Sequence, residues 1–167
     1  SRKIKFFLNS NCQDTFLKSD FHHRIFVDKN LENEIDLIFT STGEIKDSAS
    51  PELRKIRSNI NEKSEILRKT VNKILKQLSK SLLVQEEYIT MRDGRVVLPI
   101  KAEHKRQVKG FIHSESATGQ TIYIEPEESL ELNNDLLSLH FAETREIEKI
   151  LKQITKRIGS VSHELKD

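Results

Sequence analysis

Apolar residues recur with a helical period over two long stretches of the chain. In residues 52–83 they recur about every 3.6 residues, at Leu53, Ile56, Ile60, Leu67, Val71, Ile74, Leu78 and Leu82. Ser50 and Pro51 stand directly before this stretch, and serine followed by proline is a typical helix start. A second helical pattern covers residues 127–165. Because only a short insert joins them, we expect the two helices to pair antiparallel.

Between these stretches the period of the apolar residues changes from 3.6 to 2. Residues 88–91, 95–101, 108–113 and 121–125 read as strands, and Asp93-Gly94 predicts a tight hairpin turn. Pro99 predicts an edge or a bulge within the second strand. The sequence thus predicts an α+β fold that is mainly α. Two long antiparallel helices carry a separate, small antiparallel β unit of about four strands at their far end.

The N-terminal residues are patterned less clearly. Residues 1–50 contain six of the eight phenylalanines, in weak helical patterns broken by polar turns. We expect four segments: a mostly helical base (1–50), a first long helix (51–86), the β unit (87–126) and a second long helix (127–167). The first residue is not methionine and the helical period continues to Asp167, so we expect a piece of a longer polypeptide.

Composition narrows the class of protein. No apolar run is long enough for a membrane span, and no signal-peptide pattern is present. Cys12 is the single cysteine, which fits a reducing compartment. We therefore expect a cytoplasmic protein with no membrane partner.

Charge is distributed unevenly along the chain, although the formal net charge is only +2. Residues 51–84 carry nine Lys or Arg against three acids, and residues 88–113 carry six against two. Residues 114–135 carry six acids and no Lys or Arg. The long basic helix is adequately explained as a solvated face, so the basic end of the β unit is the more informative cluster.

Candidate binding residues are concentrated in the β unit. They are long or ionisable cations near strand ends and turns: Arg92, Arg95, Lys101, His104, Lys105, Arg106 and Lys109. Cations in such positions reach phosphates without being buried and release counterions from nucleic acid, which binds regardless of base sequence. The alternative is that these charges protect exposed strand edges from aggregation.

Other candidate sites are weaker. No nucleotide-binding glycine loop is present, and the hydroxyl-rich residues 114–121 are better explained as a hairpin turn than as a phosphate cradle. His22-His23 lacks the context of a metal site. His113 and Glu115 could form an acid–base pair, but no nucleophile accompanies them, so a structural role is favoured.

Acidic residues gather where the second helix begins. Glu125, Glu127, Glu128 and Glu131 are expected to oppose the helix dipole there. No catalytic residue, metal ligand or cofactor-binding residue is predicted.

Several stretches resemble the MutS family, in its second, recombination-suppressing branch. They are GEIKDSASPEL (43–53), ITMRDGRVVLPIK (89–101), GFIHSESATGQTIYIEP (110–126), LNN (132–134) and REIE (145–148). The resemblance covers roughly residues 31–155, and the run from Gly110 to Pro126 is its most specific part.

The resemblance implies a lever-and-clamp segment of a homodimer whose clamps close around double-stranded or branched DNA in recombination control or repair. It further implies that ATP and Mg belong to an ATPase domain, and any nuclease activity to a Smr domain, both outside this sequence. The segment itself would be non-enzymatic, and its protein would belong to the bacterial cytosol or be associated with the nucleoid. Ribosomal RNA, or a purely structural dimerisation arm, is the alternative. The family's catalytic residues match no position here, and its mismatch-reading domain is not carried over.

Overall fold

The computed structural model describes residues 28–161, together with Phe6 and Ser10. The elements are α1 (Lys29–Ile38), α2 (Pro51–Lys80), β1 (Thr90–Arg92), β2 (Arg95–Lys101), β3 (Gly110–Glu115), β4 (Thr121–Pro126) and α3 (Leu130–Ser160). Short 3-10 turns lie at Asp47–Ala49, Ala102–His104 and Glu127–Ser129. The mainly helical α+β class is therefore confirmed. Cys12, His22 and His23 lie outside the described residues.

The chain divides into two compact units. One comprises residues 54–145, and the other comprises residues 1–53 and 146–167. The four-segment division predicted from the sequence stays a prediction. Within the described part of the chain, no helix has both the length and the apolar character needed to cross a membrane.

Helix α2 begins where the sequence predicted and ends slightly earlier. The Leu53 amide donates to Ser50 Oγ at 3.0 Å, so Ser50 is the N-cap and Pro51 the first helical residue. At the other end the Leu83 amide donates to the Leu78 carbonyl and the Leu82 amide to that of Ser79. This is a Schellman ending in which Leu82, at φ +59°, occupies the position usually held by glycine.

Two ion pairs show the direction of the helices within residues 54–145. Arg57 Nε lies 2.7 Å from Glu143 Oε1, and Lys63 Nζ lies 2.6 Å from Asp135 Oδ2. One residue number rises as the other falls, so α2 and α3 run antiparallel here, as predicted. The hydrogen bond to Asp135 raises the pKa of Lys63.

The four strands form one antiparallel sheet in the order β1-β2-β4-β3. Asp93 (φ +50°) and Gly94 (φ +76°) make the predicted two-residue turn, in the left-handed conformation that such hairpins require. Pro99 lies in β2 two residues beyond Val97, where the pairing of β2 with β1 ends. There Pro99 is paired with Tyr123 of β4, and the only irregularity of register in the sheet lies in β3 instead.

The sheet is not the separate unit that the sequence predicted. Leu98 and Ile100 of β2 and Ile122 and Ile124 of β4 share one face, each at most 1% exposed. They form a single core with residues of both helices, Leu67, Val71, Leu75 and Leu136. Four short strands cannot bury an apolar face by themselves, so the sheet uses the helices as its second layer.

The other unit is held by capping and charged contacts. Asp28 accepts from the Asn30 and Leu31 amides and so caps α1. Arg157 Nη2 lies 2.7 Å from Asp28 Oδ2. The backbone hydrogen bond from Leu31 is the main cause that lowers the pKa of Asp28. Ser50 Oγ also donates to Glu146 Oε1 at 2.9 Å, which joins the start of α2 to α3.

Candidate nucleic-acid interface

The connection between β2 and β3 presents a group of free cations. Residues 101–110 contain four Lys or Arg and a single acid, Glu103. The 3-10 turn Ala102–His104 begins this connection, and its last residues form an open loop before β3. Lys105, Arg106 and Lys109 are all exposed, and none of them makes an ion pair with any residue that the structure describes. We call these three residues the basic loop.

Two further predicted residues border the basic loop but are partly engaged. Lys101, the last residue of β2, is half-buried and in register with Thr121. The Nε2 atom of His104 lies 3.3 Å from Glu103 Oε1, and its Nδ1 atom lies 3.1 Å from the side-chain Nε2 of Gln107. These side chains flank the basic loop and are less available than it is.

Arg92 lies against an aromatic ring of the sheet. Its guanidinium carbon is 4.0 Å from the centroid of Tyr123, a cation–π contact between β1 and β4. It also donates to the Met91 carbonyl at 2.9 Å. The guanidinium is therefore held over the sheet and remains half-exposed.

Arg95 differs from the other cations because it neutralises a buried acid. Glu125 on β4 is only 1% exposed, and Arg95 Nη1 donates to its two oxygens at 2.8 and 3.2 Å. Asn133 Nδ2 donates to Oε1 at 2.8 Å, and His113 Nε2 lies 2.6 Å from Oε2. A carboxylate removed from water needs such partners. Arg95, whose side chain is 21% exposed, is therefore the charged partner of this buried acid.

The local backbone explains how His113 reaches Glu125. The register between β3 and β4 shifts between Ile112 and Ser114, so β3 contains an extra residue at that point. A bulge of this kind redirects a side chain. Gly110 allows the two strands to approach closely, because a Cβ there would lie 2.1 Å from the Glu125 carbonyl oxygen.

The same network ties the start of α3 to β2. Asn133 accepts from the Val96 amide at 3.0 Å and donates to the Val96 carbonyl at 3.2 Å. Arg95 Nη2 donates to Asn134 Oδ1 at 2.6 Å. An asparagine that satisfies both backbone groups of a strand residue acts as a replacement for a neighbouring strand. These contacts hold the sheet in place on the helices.

The sequence-based interpretation of Glu125 is therefore wrong. Glu125 does not belong with the exposed acids at the start of α3; it is a buried strand residue. His113 contacts Glu125, whereas Glu115 is exposed, which agrees with the structural role favoured for His113 over an acid–base pair with Glu115. The signal that could have located Glu125 is its spacing, because it follows Tyr123 by two and so shares its face of β4.

The remaining candidate sites are ordinary structure where they are described. Ser116 and Gly119 close a hairpin turn, with the Gly119 amide 2.9 Å from the Ser116 carbonyl and Gly119 at φ +69°. Among the described residues no group of three or more His, Cys, Asp or Glu is arranged to hold a metal ion.

Comparison with known proteins gives a consistent set of relatives. The protein named Endonuclease MutS2 from Alkaliphilus oremlandii is 37% identical over 99% of this chain, which covers 21% of that protein. Endonuclease MutS2 from Clostridioides difficile is 33% identical over 99% of the chain and 21% of its own length. The Thermomicrobium roseum protein of the same name is 44% identical over 74% of the chain and 15% of its own length. No family model matches.

The similarity extends along almost the entire chain, yet the chain spans only about a fifth of the length of the curated relatives it matches. The residues that carried the family resemblance in the sequence are those that build the sheet, the buried Glu125 network and the helix starts. The chain therefore belongs to the MutS family, in its MutS2 branch.

Proposed function

We propose that this chain is a sequence-independent nucleic-acid-binding segment, with double-stranded or branched DNA as its ligand. The observation that carries the proposal is the basic loop: Lys105, Arg106 and Lys109 are exposed and unpaired with acids among the described residues. These cations have no acidic partner among the described residues, whereas the phosphates of a nucleic acid would neutralise them with release of counterions. Lys101 borders the loop, and Arg92 adds a further half-exposed cation to the same sheet.

Sequence independence follows from the kind of element that carries the charge. Base pairs are distinguished in the major groove, which admits an α-helix or a two-stranded β-ribbon. The basic loop has neither of these shapes. Flexible lysines and an arginine on a loop contact phosphates, which position a protein without reading bases.

We propose further that the segment holds nucleic acid and that chemistry is performed elsewhere in the longer protein. The relatives are named endonucleases, and ATP with Mg is the expected cofactor of the whole protein. In this segment the best-connected acid, Glu125, is 1% exposed, so it cannot reach a substrate. His113, its neighbour, is held by the same carboxylate.

The test is direct binding by the purified 167-residue chain. Its affinity for a mixed-sequence duplex, a four-way junction, a structured RNA and ribosomes is measured across a salt series. We expect duplex and junction DNA to bind, with affinity that falls steeply as salt rises and does not depend on base sequence. Binding to ribosomes or RNA alone would transfer the function to the alternative ligand, and no binding to any of them would refute the proposal.

A further inference from the structure

Strand β3 forms one edge of the sheet and carries an exposed aromatic ring. It pairs with β4 only, and Phe111 within it is 63% exposed. A single exposed phenylalanine is unremarkable in itself. What distinguishes Phe111 is its position, two residues after Lys109 of the basic loop.

Lys109 lies directly before β3, two residues from Phe111. The Glu127 amide donates to the Lys109 carbonyl at 3.2 Å, so the pairing of β3 with β4 continues back to Lys109. Residues two apart on a strand share a face and are separated by about 7 Å. By this spacing, Lys109 and the open ring of Phe111 lie close together where β3 begins.

The neighbouring aromatic ring on this face, Tyr123, is already covered by another side chain. Tyr123 is covered by the Arg92 guanidinium at 4.0 Å, whereas Phe111 is in register with Glu125 and its ring is open to solvent. The close approach of Gly110 to β4 and the His113–Glu125 contact fix the strand on both sides of Phe111. A ligand that stacks on this ring therefore needs little ordering of the protein.

We propose that Phe111 stacks against an unpaired nucleobase while Lys109 binds an adjacent phosphate. The ligand is a single-stranded segment or an unpaired nucleotide within branched nucleic acid. This inference rests on the proposed function and narrows its substrate class. The nearby Lys109 favours a nucleic acid as the occupant, because an apolar protein surface would leave this exposed cation without a counter-charge. Bases inside a duplex are stacked on each other and have no free face for Phe111.

The test compares Phe111→Ala and Phe111→Trp with the unchanged chain. The probes are an oligothymidylate of about 20 nucleotides, an oligouridylate of the same length and a duplex of similar length. Phe111→Ala should weaken oligothymidylate binding about thirtyfold, the middle of the range for loss of one base–aromatic stack. Phe111→Trp should bind at least as well as the unchanged chain, and duplex binding should change less than twofold in either variant.

Salt dependence separates stacking from charge. Loss of an uncharged ring should leave the slope of log affinity against log salt unchanged, whereas Lys109→Ala should reduce the single-strand slope by about 0.7. Phe141→Ala is the matched control, because Phe141 is 58% exposed but lies on α3. It should change none of the three affinities.

The outcomes distinguish this inference from the proposed function. Equal losses on oligothymidylate and oligouridylate would mean that either nucleic acid is accepted, and a loss on one alone would identify DNA or RNA as the source. If the unchanged chain binds the probes and Phe111→Ala binds each of them as tightly as the unchanged chain does, the inference is refuted and the proposed function stands. An equal loss on duplex and single strand refutes it also. If the unchanged chain binds no probe, both fail.

Discussion

Arg95 on β2 and Glu125 on β4 form an ion pair of 2.8 Å in which the carboxylate is almost wholly buried. The pair lies on the opposite face of the strands from Leu98 and Ile124, so it stabilises the sheet independently of the apolar core. Asn133 and His113 complete the set of donors around Glu125. The sheet that carries the basic loop thus depends on a polar network as well as on hydrophobic packing.

The first prediction concerns the separation of stability from binding among the cations. Arg95→Ala leaves Glu125 buried without its charged partner, which should lower the free energy of unfolding by about 3 kcal/mol. Lys109→Ala removes the same charge from the surface and should change it by less than about 0.5 kcal/mol. Urea denaturation of both variants measures this difference. If both substitutions lower the free energy of unfolding by the same small amount, the Arg95–Glu125 pair does not stabilise the fold.

The second prediction concerns pH. The hydrogen bond from Ser50, followed by the contact with Lys149, lowers the pKa of Glu146. A lowered pKa in the folded state stabilises the protein above the unfolded pKa of about 4.3, and this stabilisation is lost as pH falls through the folded value. Ser50→Ala should therefore cost more stability at pH 7 than at pH 3.

At pH 3 the remaining cost of Ser50→Ala should be that of the lost N-cap, about 1 kcal/mol. The measurement is denaturant unfolding of the unchanged chain and the variant at both pH values. Glu146→Gln is the control, because in that background the effect of Ser50→Ala should no longer depend on pH. A cost that is the same at both pH values in the original chain would contradict the assigned hydrogen bond.

The third prediction concerns the end of α2. Leu82 has a φ of +59°, a left-handed conformation that is strained for a residue with a Cβ atom. Its side chain is 73% exposed, so burial does not offset this strain. Leu82→Gly should raise the free energy of unfolding by about 1 kcal/mol. Leu82→Ala, which keeps the Cβ atom, should raise it much less. Thermal unfolding of the two variants tests this, and a destabilised glycine variant would indicate that the Leu82 side chain makes a contact of its own.

The sequence predicted the parts of the fold that depend on local periodicity. The helix start at Ser50-Pro51 and the Asp93-Gly94 turn were located because each has a specific backbone requirement that few residues meet. The antiparallel helices followed from the length of the insert. The shared core was not predicted, because alternation in β2 shows that Leu98 and Ile100 are buried but not what covers them.

The candidate site was only partly predictable for a related reason. Arg95 and Lys109 are equivalent as charges in a sequence, and what separates them is the position of Glu125 in space. Glu125 itself was obscured by the run of acids after it, which made a helix-dipole role the simpler interpretation. Pairing between residues far apart in the chain depends on strand order, which residue spacing alone did not specify.

The central claim is that the basic loop binds phosphates, and the salt dependence of duplex binding tests it most directly. The triple variant Lys105→Ala, Arg106→Ala, Lys109→Ala is compared with Lys69→Ala, Lys73→Ala, Lys76→Ala, which removes the same charge from exposed positions of α2. We expect the first to reduce the slope of log affinity against log salt by about 2.7, or 0.9 for each lost contact, on every duplex sequence. The second should leave the slope nearly unchanged. An unchanged slope in the basic-loop variant, or an equal reduction in both, would contradict the account.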